Sequence, residues 1–244
     1  MTAAVIQPYF IPYAGYFRLF AAADVVVMFD CVQFPRRGWV HRNRLPRASG
    51  DLDWLTLPIA KAARETLIRD LTFAADARVR LDAAARHFPV LERALRENDP
   101  LVERVLDPET DDVTVYLIGL LQNCAASLGL ERPVVRSSTL PIAADVHAQE
   151  RVIAILHELG ATAYVNPSGG RDLYDHAAFN AAGPRTSSSA AGQTGESTYS
   201  QTNDQVPGVD EPDTVKTNGN IVVTLDGPTL RVLDLGAQVI GSVQ

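Results

Sequence analysis

The sequence predicts an α/β fold: a Rossmann-like, open and mostly parallel sheet with flanking helices, followed by a linker and a short hairpin-like tail. Short apolar runs typical of buried strands occur at residues 3–6, 25–29, 134–135 and 163–165. Stretches with apolar residues at helical spacing separate several of these runs, which is the alternation expected when helices cover a parallel sheet.

A proline and an acidic residue delimit the first strands. Strand 3–6 ends before Pro8, because proline has no backbone donor and restrains the residue that precedes it. Small and apolar residues at 17–23 predict a helix, and the second strand, 25–29, ends on Asp30. Both strands therefore lead into polar loops at their carboxyl ends, where open α/β sheets bind ligands.

The later elements follow from the same signals. Residues 54–59, with a proline near their end, predict a third strand. Helical spacing over 78–97 predicts a helix that Pro89 either kinks or divides in two. Helices are also predicted at 114–128 and 147–159, each followed by a glycine, a residue common just beyond helix ends.

Composition bounds the class of protein. The chain has 244 residues, 46% of them hydrophobic, enough for one sizeable domain and an appendage or for two small domains. Its net charge of −7 gives no reason to expect nucleic acid or an anionic membrane as a partner. The two cysteines suggest neither a disulfide framework nor a metal motif. No apolar run reaches ~18 residues and no signal peptide is evident, so we expect a cytoplasmic protein without a membrane span.

The character of the chain changes near Gly183. We predict an α/β domain at 1–183 and a flexible linker at 184–203, where Ser, Thr, Gly and Ala dominate. The tail, 204–244, has two strand-like runs joined through a turn, which form a hairpin with no sheet to join. The sequence leaves the oligomeric state open.

The loop after the second strand is rich in groups that bind anions. Five arginines fall between Arg36 and Arg47 with no acidic residue among them, either as a solvated loop or as a ligand site. A guanidinium fork suits phosphate, and an aromatic side chain in the same loop favours the ligand site. The candidate binding residues are Gln33, Arg37, Trp39, Arg42 and Arg44, with Lys61 as a reserve cation.

Asp30 is the strongest acidic candidate in the chain. At the end of a strand it can bind a ribose, an amine or a metal, act as a base, or simply hold an arginine. Tyr9 and Tyr13 can stack on a base or sugar, or pack in the rim of the core. Paired glycines near residues 169–170 can direct backbone N–H groups toward a phosphate, but they are also ordinary turn chemistry.

The motifs QPYFIPYAGY, FDCVQF, RRGWVHRNR, WLTLPI and QERVIAILHELGATAYVNPSGGRDLYD occur in this order between residues 3 and 183. Together they resemble the WbqC-like family of bacterial proteins. The family's signature falls here on Gln7, Pro8, Tyr9, Pro12, Tyr13, Gly15, Tyr16, Asp30, Gln33, Phe34, Gly38, Trp39, Arg42, Asn43, Trp54, Asn166, Gly169 and Gly170. The chain departs from it at Cys31, where the pattern usually has a second acidic residue.

The resemblance implies a role in surface-polysaccharide (O-antigen) biosynthesis. The implied reaction is transfer of an aminoacyl group such as glycine to a nucleotide-linked amino sugar, with ATP as a possible cofactor and no metal. Asp30, Gln7 and Asn43 are then the catalytic candidates, with Asp30 as a base or as the group that orients an attacking amine. The implied ligand residues include Tyr16, Gly15 and Asn166, beside the aromatic and basic residues above.

The alternatives are a non-catalytic binder of nucleotide sugars, a scaffold of polysaccharide assembly, or an inactive truncated fusion. The third follows from the tail, because YSQTNDQVPGVDEPDTVKTNGNIVVTLDGPTLRVLDL resembles the opening of secreted β-propeller domain proteins. Only the first strands of a propeller are present, so none can close. The WbqC-like resemblance ends near Gly183, before the family's own C-terminal segment.

Overall fold

A computed structural model describes residues 1–166 and 178–179, and the backbone of five later strands. These strands are Arg185–Ser188, Val215–Thr217, Ile221–Asp226, Thr229–Asp234 and Val239–Val243. The chain divides into two compact units: Met1–Val165 with Ala177–Ser187, and Asn166–His176 with Ser188–Gln244.

The first unit is built on a parallel sheet. Its strands are β1 (Thr2–Ile6), β2 (Val25–Met28), β5 (Val134–Arg136) and β6 (Ala163–Asn166), in the order β5-β2-β1-β6. β7 (Arg185–Ser188) follows β6 at the edge. β1 and β2 are almost wholly buried, as expected of strands covered on both faces, and the predicted α/β class is confirmed.

The described part of the first unit contains six α-helices with assigned bounds. They are α1 (Arg18–Ala22), α2 (Ala77–Ala85), α3 (Pro89–Arg96), α4 (Pro100–Leu106), α5 (Val113–Ser127) and α6 (Ala148–Glu158). Pro89 divides the predicted 78–97 helix, because it occupies the first position of α3 and the residue before it is extended. Gly129 and Gly160, beyond α5 and α6, have the positive φ values of 66° and 62° that favour glycine.

Residues 42–46 correct one prediction. They form a strand, β3 (Arg42–Pro46), and not part of a long loop. β3 pairs antiparallel with β4 (Leu52–Thr56), and this β3–β4 ribbon is separate from the parallel sheet. The predicted third strand at 54–59 therefore begins two residues earlier, ends at Thr56 and lies outside the main sheet.

Two hydrophobic clusters make up the core of the first unit. The larger contains Phe10, Leu55 and Leu81, and joins the ribbon to helices α2 to α5. The smaller packs α1 against the sheet. Helix α5 contributes to both, with Leu117 in the larger cluster and Leu121 in the smaller.

The second unit contains an antiparallel sheet of four strands: β8 (Val215–Thr217), β9 (Ile221–Asp226), β10 (Thr229–Asp234) and β11 (Val239–Val243). The predicted pair of strands, β9 and β10, is confirmed. Two further strands extend this pair, since β8 pairs with β9 and β11 pairs with β10. Among the residues described, no helix is long and apolar enough to cross a membrane.

Truncation of a core residue of α5 tests this packing. Leu117→Ala should lower the free energy of unfolding by about 2–5 kcal/mol, because the fully buried side chain leaves a cavity. Val115→Ala, on the exposed side of the same helix, should cost less than about 0.5 kcal/mol. Urea denaturation of both variants measures the difference, and equal costs would contradict the described core.

Candidate functional site

The loop after β1, residues 7–13, is held in place by the ribbon and the segment before it. The backbone N–H of Phe10 donates to the carbonyl of Trp39 at 2.9 Å. The buried amide of Asn43 donates from Nδ2 to the carbonyl of Phe10 at 3.3 Å and to that of Ile11. Its Oδ1 accepts the following backbone N–H at 2.7 Å. These contacts give Asn43 a positioning function, and its predicted catalytic role stays a prediction.

Ile11 has a left-handed backbone in this loop, with φ of 47°. A β-branched residue rarely adopts this conformation, because its side chain crowds the backbone. Such strain persists only where surrounding contacts enforce it, and it is concentrated at binding and catalytic sites. The hydrogen bond from Asn43 to the Ile11 carbonyl is one such contact.

Two of the predicted tyrosines meet beside the loop. The hydroxyl of Tyr16 donates to the carbonyl of Gln7 at 2.7 Å, and the rings of Tyr9 and Tyr16 lie 5.6 Å apart. Burial raises the pKa of both phenols, so both are neutral near pH 7. Tyr16 is buried and packs in the smaller core cluster, whereas Tyr9 is half-buried.

Gly15 makes room for Tyr13. A Cβ atom at this position would lie 2.3 Å from Cε2 of the Tyr13 ring, so any side chain would displace that ring. The turn that follows is a 3₁₀ helix, Ala14–Phe17, which leads into the five-residue α1. Gly15 thus has a packing function here, beside its predicted role in ligand approach.

Asp30 is fully buried and accepts four hydrogen bonds at its carboxylate. Oδ1 accepts from Ser137 Oγ and from the backbone N–H of Ser138, each at 2.9 Å. Oδ2 accepts from Ser138 Oγ at 2.7 Å and from Arg136 Nε at 2.8 Å. These contacts connect the end of β2 to the end of β5, so the structural alternative for Asp30 has direct support.

Arg136 extends this network to a helix. Its Nη1 donates to Asp112 Oδ2 at 3.3 Å, while Oδ1 of Asp112 caps the N-terminus of α5. Burial lowers the pKa of Arg136, but the hydrogen bond and charge of Asp30, together with the charge of Asp112, outweigh it and raise the pKa. The guanidinium therefore stays charged and joins two carboxylates.

Cys31 lies beside a buried arginine, Arg151. Its Sγ is 3.0 Å from Ser137 Oγ and accepts from Arg151 Nε at 2.7 Å. Arg151 is 6% exposed and also donates to the carbonyls of Ala143 and Val146. The residue at which the sequence departs from the WbqC-like pattern is thus packed against a cationic and a hydroxyl group.

The ribbon and the segment before it carry a group of basic and aromatic residues, which we call the arginine–tryptophan face: Arg37, Trp39, Arg42, Arg44 and Trp54. Arg42 Cζ lies 4.1 Å and Arg44 Cζ 4.8 Å from the centre of the Trp54 ring, both in cation–π contact. The rings of Trp39 and Trp54 are 5.4 Å apart. Nη2 of Arg42 donates to the carbonyl of Arg37 at 2.7 Å.

The charge of this face is not compensated within the described part of the chain. There, Arg37, Arg42 and Arg44 form no ion pair with a carboxylate, whereas Arg47 on the same ribbon pairs with Asp53. Burial, followed by the charges of Arg37 and Arg44, lowers the pKa of Arg42. Its Nε is buried and has no hydrogen-bond partner among the described residues. Buried polar atoms usually have a hydrogen-bond partner, so this donor is an exception within the described structure.

The remaining predicted residues are spread more widely. Nε2 of Gln33 donates to the carbonyl of Arg64 at 2.7 Å and fixes the loop edge. Lys61 is exposed, and Asn166 is half-buried at the end of β6. Gly169 and Gly170 lie outside the described residues. The structure thus joins the 7–13 loop to the Trp39 carbonyl and to Asn43, which leaves β3 on the face opposite to Arg42 and Arg44.

His41, directly before Arg42, is buried against the core. It is 9% exposed, its ring meets Phe34 edge-on at 4.9 Å, and its Nδ1 has no hydrogen-bond partner among the described residues. Burial, and then the charge of Arg42, lower the pKa of His41 from 6.5 to about 4. The imidazole is therefore neutral at physiological pH.

Sequence reasoning did not identify Arg136, Ser137, Ser138 or Arg151. Their only signal is a short serine pair directly after a strand end. In the part of the chain that the structure describes, no group of three or more His, Cys, Asp or Glu side chains could hold a metal ion.

Comparison with known proteins gives two family matches. The profile of the WbqC-like protein family matches residues 7–211. The profile of the beta propeller domain matches residues 199–243. The first match continues past the boundary predicted near residue 183 and overlaps the second over 199–211.

One curated relative is an uncharacterized protein of Mycobacterium tuberculosis. It is 27% identical over 186 residues, which cover 72% of this chain and 77% of that protein. No solved structure matches.

Removal of the Asp30 carboxylate tests the network between β2 and β5. Asp30→Ala should lower the free energy of unfolding by roughly 3–5 kcal/mol, because it leaves a charged guanidinium and two hydroxyl groups without their acceptor. Asp82→Ala breaks the exposed pair with Arg86 and should cost less than about 1 kcal/mol. Urea denaturation compares the two, and similar costs would contradict the anchoring function.

His41 should make stability depend on pH. The unfolded imidazole takes up a proton near pH 6.5 but the folded one only near pH 4, so its contribution is complete above pH 6.5 and is lost as the pH falls toward 4. Thermal unfolding between pH 7 and 4 should therefore show a steeper loss of Tm in the wild type than in His41→Leu. His157→Gln, at an exposed position, should behave like the wild type, and parallel curves for all three would refute this assignment.

Proposed function

Because the chain belongs to the WbqC-like protein family, we propose that it is a transferase of surface-polysaccharide (O-antigen) biosynthesis. Membership suggests a protein associated with polysaccharide biosynthesis. The proposed reaction transfers an aminoacyl group, such as glycine, from an activated donor to the amino group of a nucleotide-linked sugar. The proposed site is the arginine–tryptophan face, which is joined to the 7–13 loop at the Trp39 carbonyl.

The observation that carries this proposal is the uncompensated charge of Arg37, Arg42 and Arg44. A nucleotide sugar has a phosphate-rich centre, and guanidinium groups bind phosphate with paired, charge-assisted hydrogen bonds. The side chain of Arg44 makes no hydrogen bond to a described residue and offers its donors to such a ligand. A neutral sugar alone would leave these charges without a partner.

Aromatic side chains beside the cationic groups suit the other parts of the ligand. Trp39 is half-buried, so part of its indole is open to a base or sugar. Tyr9 is also half-buried, and its neutral phenol can donate a hydrogen bond to a sugar hydroxyl. Stacking on a π-face tolerates different bases, which fits a site that recognises the carrier by its phosphates.

In the proposed reaction the acyl group passes directly from donor to acceptor, without a covalent enzyme intermediate. Attack by the sugar amine on the acyl carbon forms a C–N bond and breaks the bond to the leaving group of the donor. One proton leaves the nitrogen and passes to the leaving group or to water. Within the described residues the side-chain amide of Gln7, at the carboxyl end of β1, makes no hydrogen bond and is free to hold the amine or the carbonyl oxygen.

For Asp30 we propose the structural role, in which it holds an arginine, and neither the role of a base nor that of orienting the amine. A general base must reach the proton that it removes, and this carboxylate is fully buried with four donors around it. In the proposed site Asp30 holds the end of β2, while Asn43 holds the 7–13 loop. The arginines bind the phosphates of the nucleotide-linked sugar.

A non-catalytic nucleotide-sugar binder is the second candidate. Two of the three predicted catalytic groups, Asp30 and Asn43, are already occupied by contacts within the protein. Cys31 stands where the WbqC-like pattern usually has an acid. A binder would hold a nucleotide sugar and leave it unchanged.

Binding of nucleotide-activated amino sugars tests the proposed site. In calorimetry on the full chain, Arg42→Ala should weaken binding roughly tenfold to hundredfold, the effect of losing charge-assisted hydrogen bonds. Arg86→Ala, which alters an exposed pair on α2, should bind like the wild type. The absence of binding by folded wild type, or equal binding by Arg42→Ala, would refute the site.

Turnover separates the transferase from the binder. The same ligands, incubated with ATP and amino acids, should gain the mass of one aminoacyl group if the chain is an enzyme. Tight binding with an unchanged mass would favour the binder.

A further inference from the structure

We propose that Trp54 is a positioning residue that holds Arg42 and Arg44 as one site for two adjacent phosphate groups. This inference rests on the proposed function and makes it specific. It assigns the diphosphate of the nucleotide carrier to the β3–β4 ribbon. A ligand with one negative charge, such as a free amino acid, is expected to bind elsewhere.

The register of the ribbon brings the two arginines to one indole. Arg44 is paired directly with Trp54 across the ribbon, while Arg42 lies two residues earlier and therefore on the same face of β3. Both guanidinium groups lie over the ring, at 4.1 and 4.8 Å from its centre. Trp39 packs against the indole at 5.4 Å and helps to fix it.

Two like charges over one ring repel each other, and cation–π contact offsets only about 0.5–2 kcal/mol for each. The ribbon does contain a carboxylate, Asp53, but it pairs with Arg47. The depressed pKa of Arg42, which burial and its cationic neighbours cause, is consistent with this repulsion. A ligand that supplies two negative charges relieves it, whereas a single carboxylate relieves half.

The free donors fit the same ligand. Nη2 of Arg42 donates to the carbonyl of Arg37, whereas its Nη1 makes no hydrogen bond to a described residue. The side chain of Arg44 makes no hydrogen bond to a described residue, so its donors are also available. Adjacent phosphates present several acceptor oxygens and at least two charges, and so use both guanidinium groups.

The indole determines where the donors point. A free arginine side chain has many rotamers, and ordering it costs up to about 2 kcal/mol. Because Trp54 holds both guanidinium groups over its ring, part of this cost is met before the ligand binds. A flat ring is needed for this function, and an aliphatic side chain of similar size cannot replace it.

The chain provides its own probe for the test. Both of its tryptophans, Trp39 and Trp54, belong to the arginine–tryptophan face, so intrinsic tryptophan fluorescence reports on this face alone. The full chain is titrated with inorganic pyrophosphate and with inorganic phosphate, at low and moderate salt. Pyrophosphate should change the emission and bind at least tenfold more tightly than phosphate.

Variants separate positioning from packing. Trp54→Phe keeps a ring and should bind pyrophosphate within about threefold of the wild type, whereas Trp54→Leu should lose tenfold or more. Arg44→Lys keeps the charge but loses the planar fork, and should also lose tenfold. Arg69→Lys, at an exposed position, is the control, and circular dichroism verifies folding. Equal affinity for the two anions, or unchanged binding by a folded Arg44→Lys, would overturn the proposal.

Competition experiments show whether the bound phosphates belong to a nucleotide sugar or to ATP. They also test the diphosphate site separately from the proposed function. Displacement of pyrophosphate by a nucleotide-linked amino sugar supports the carrier as ligand, and displacement by ATP alone overturns that assignment. Pyrophosphate binding without nucleotide-sugar binding would leave the diphosphate site standing and reject the proposed function. Nucleotide-sugar binding that Trp54→Leu and Arg44→Lys do not weaken would reject this site and leave the function.

Discussion

The first unit depends on one buried carboxylate. Asp30 lies just after β2, and its carboxylate binds Arg136, the last residue of β5, which is 106 residues later in the sequence. Arg136 in turn reaches Asp112, the residue that caps α5. A fully buried charge is tolerated only where its partners are fixed, so the sheet edge and the start of α5 must form together. This requirement places the loops beside the strand ends before any ligand is involved.

A second anchor connects that frame to the candidate site. Asn43 binds the backbone of the 7–13 loop from the inner side of β3, while Arg42 and Arg44 face the other way. The alternation of a strand therefore separates two functions in three consecutive residues. The inner residue sets the position of the loop, and the outer residues offer charge.

The parallel strands and most helices could be predicted because their signals are local. Continuous apolar runs end at a proline, an aspartate or a glycine, and these residues act through their own backbone. Helix α4 was missed although Asp99 and Pro100 are a cap and a first-turn proline, signals that the sequence contains. β3 was missed because Arg42, Asn43 and Arg44 do not resemble a strand. Its stability comes from Trp54 and the loop that Asn43 binds, which are contacts distant in sequence.

The candidate site was also predictable only in part, where its signals are local in the sequence. An arginine-rich loop with a tryptophan is visible in the sequence, and so is its lack of acidic residues. A partner for Asp30 could be expected only among nearby arginines, yet it is Arg136. A single sequence contains no information on which of two distant strand ends will be adjacent. The position of a charge can therefore be predicted better than its partner.

Helix α5 has a consequence for how the first unit loses its structure. Leu117 and Leu121 are neighbours one turn apart, yet they belong to different hydrophobic clusters. If either cluster opened alone, α5 would lose the packing that keeps it helical, and the other cluster would lose one of its walls. Partial opening is therefore costly, and the two clusters should melt in a single cooperative transition. The shared helix makes one folding unit from two separate cores.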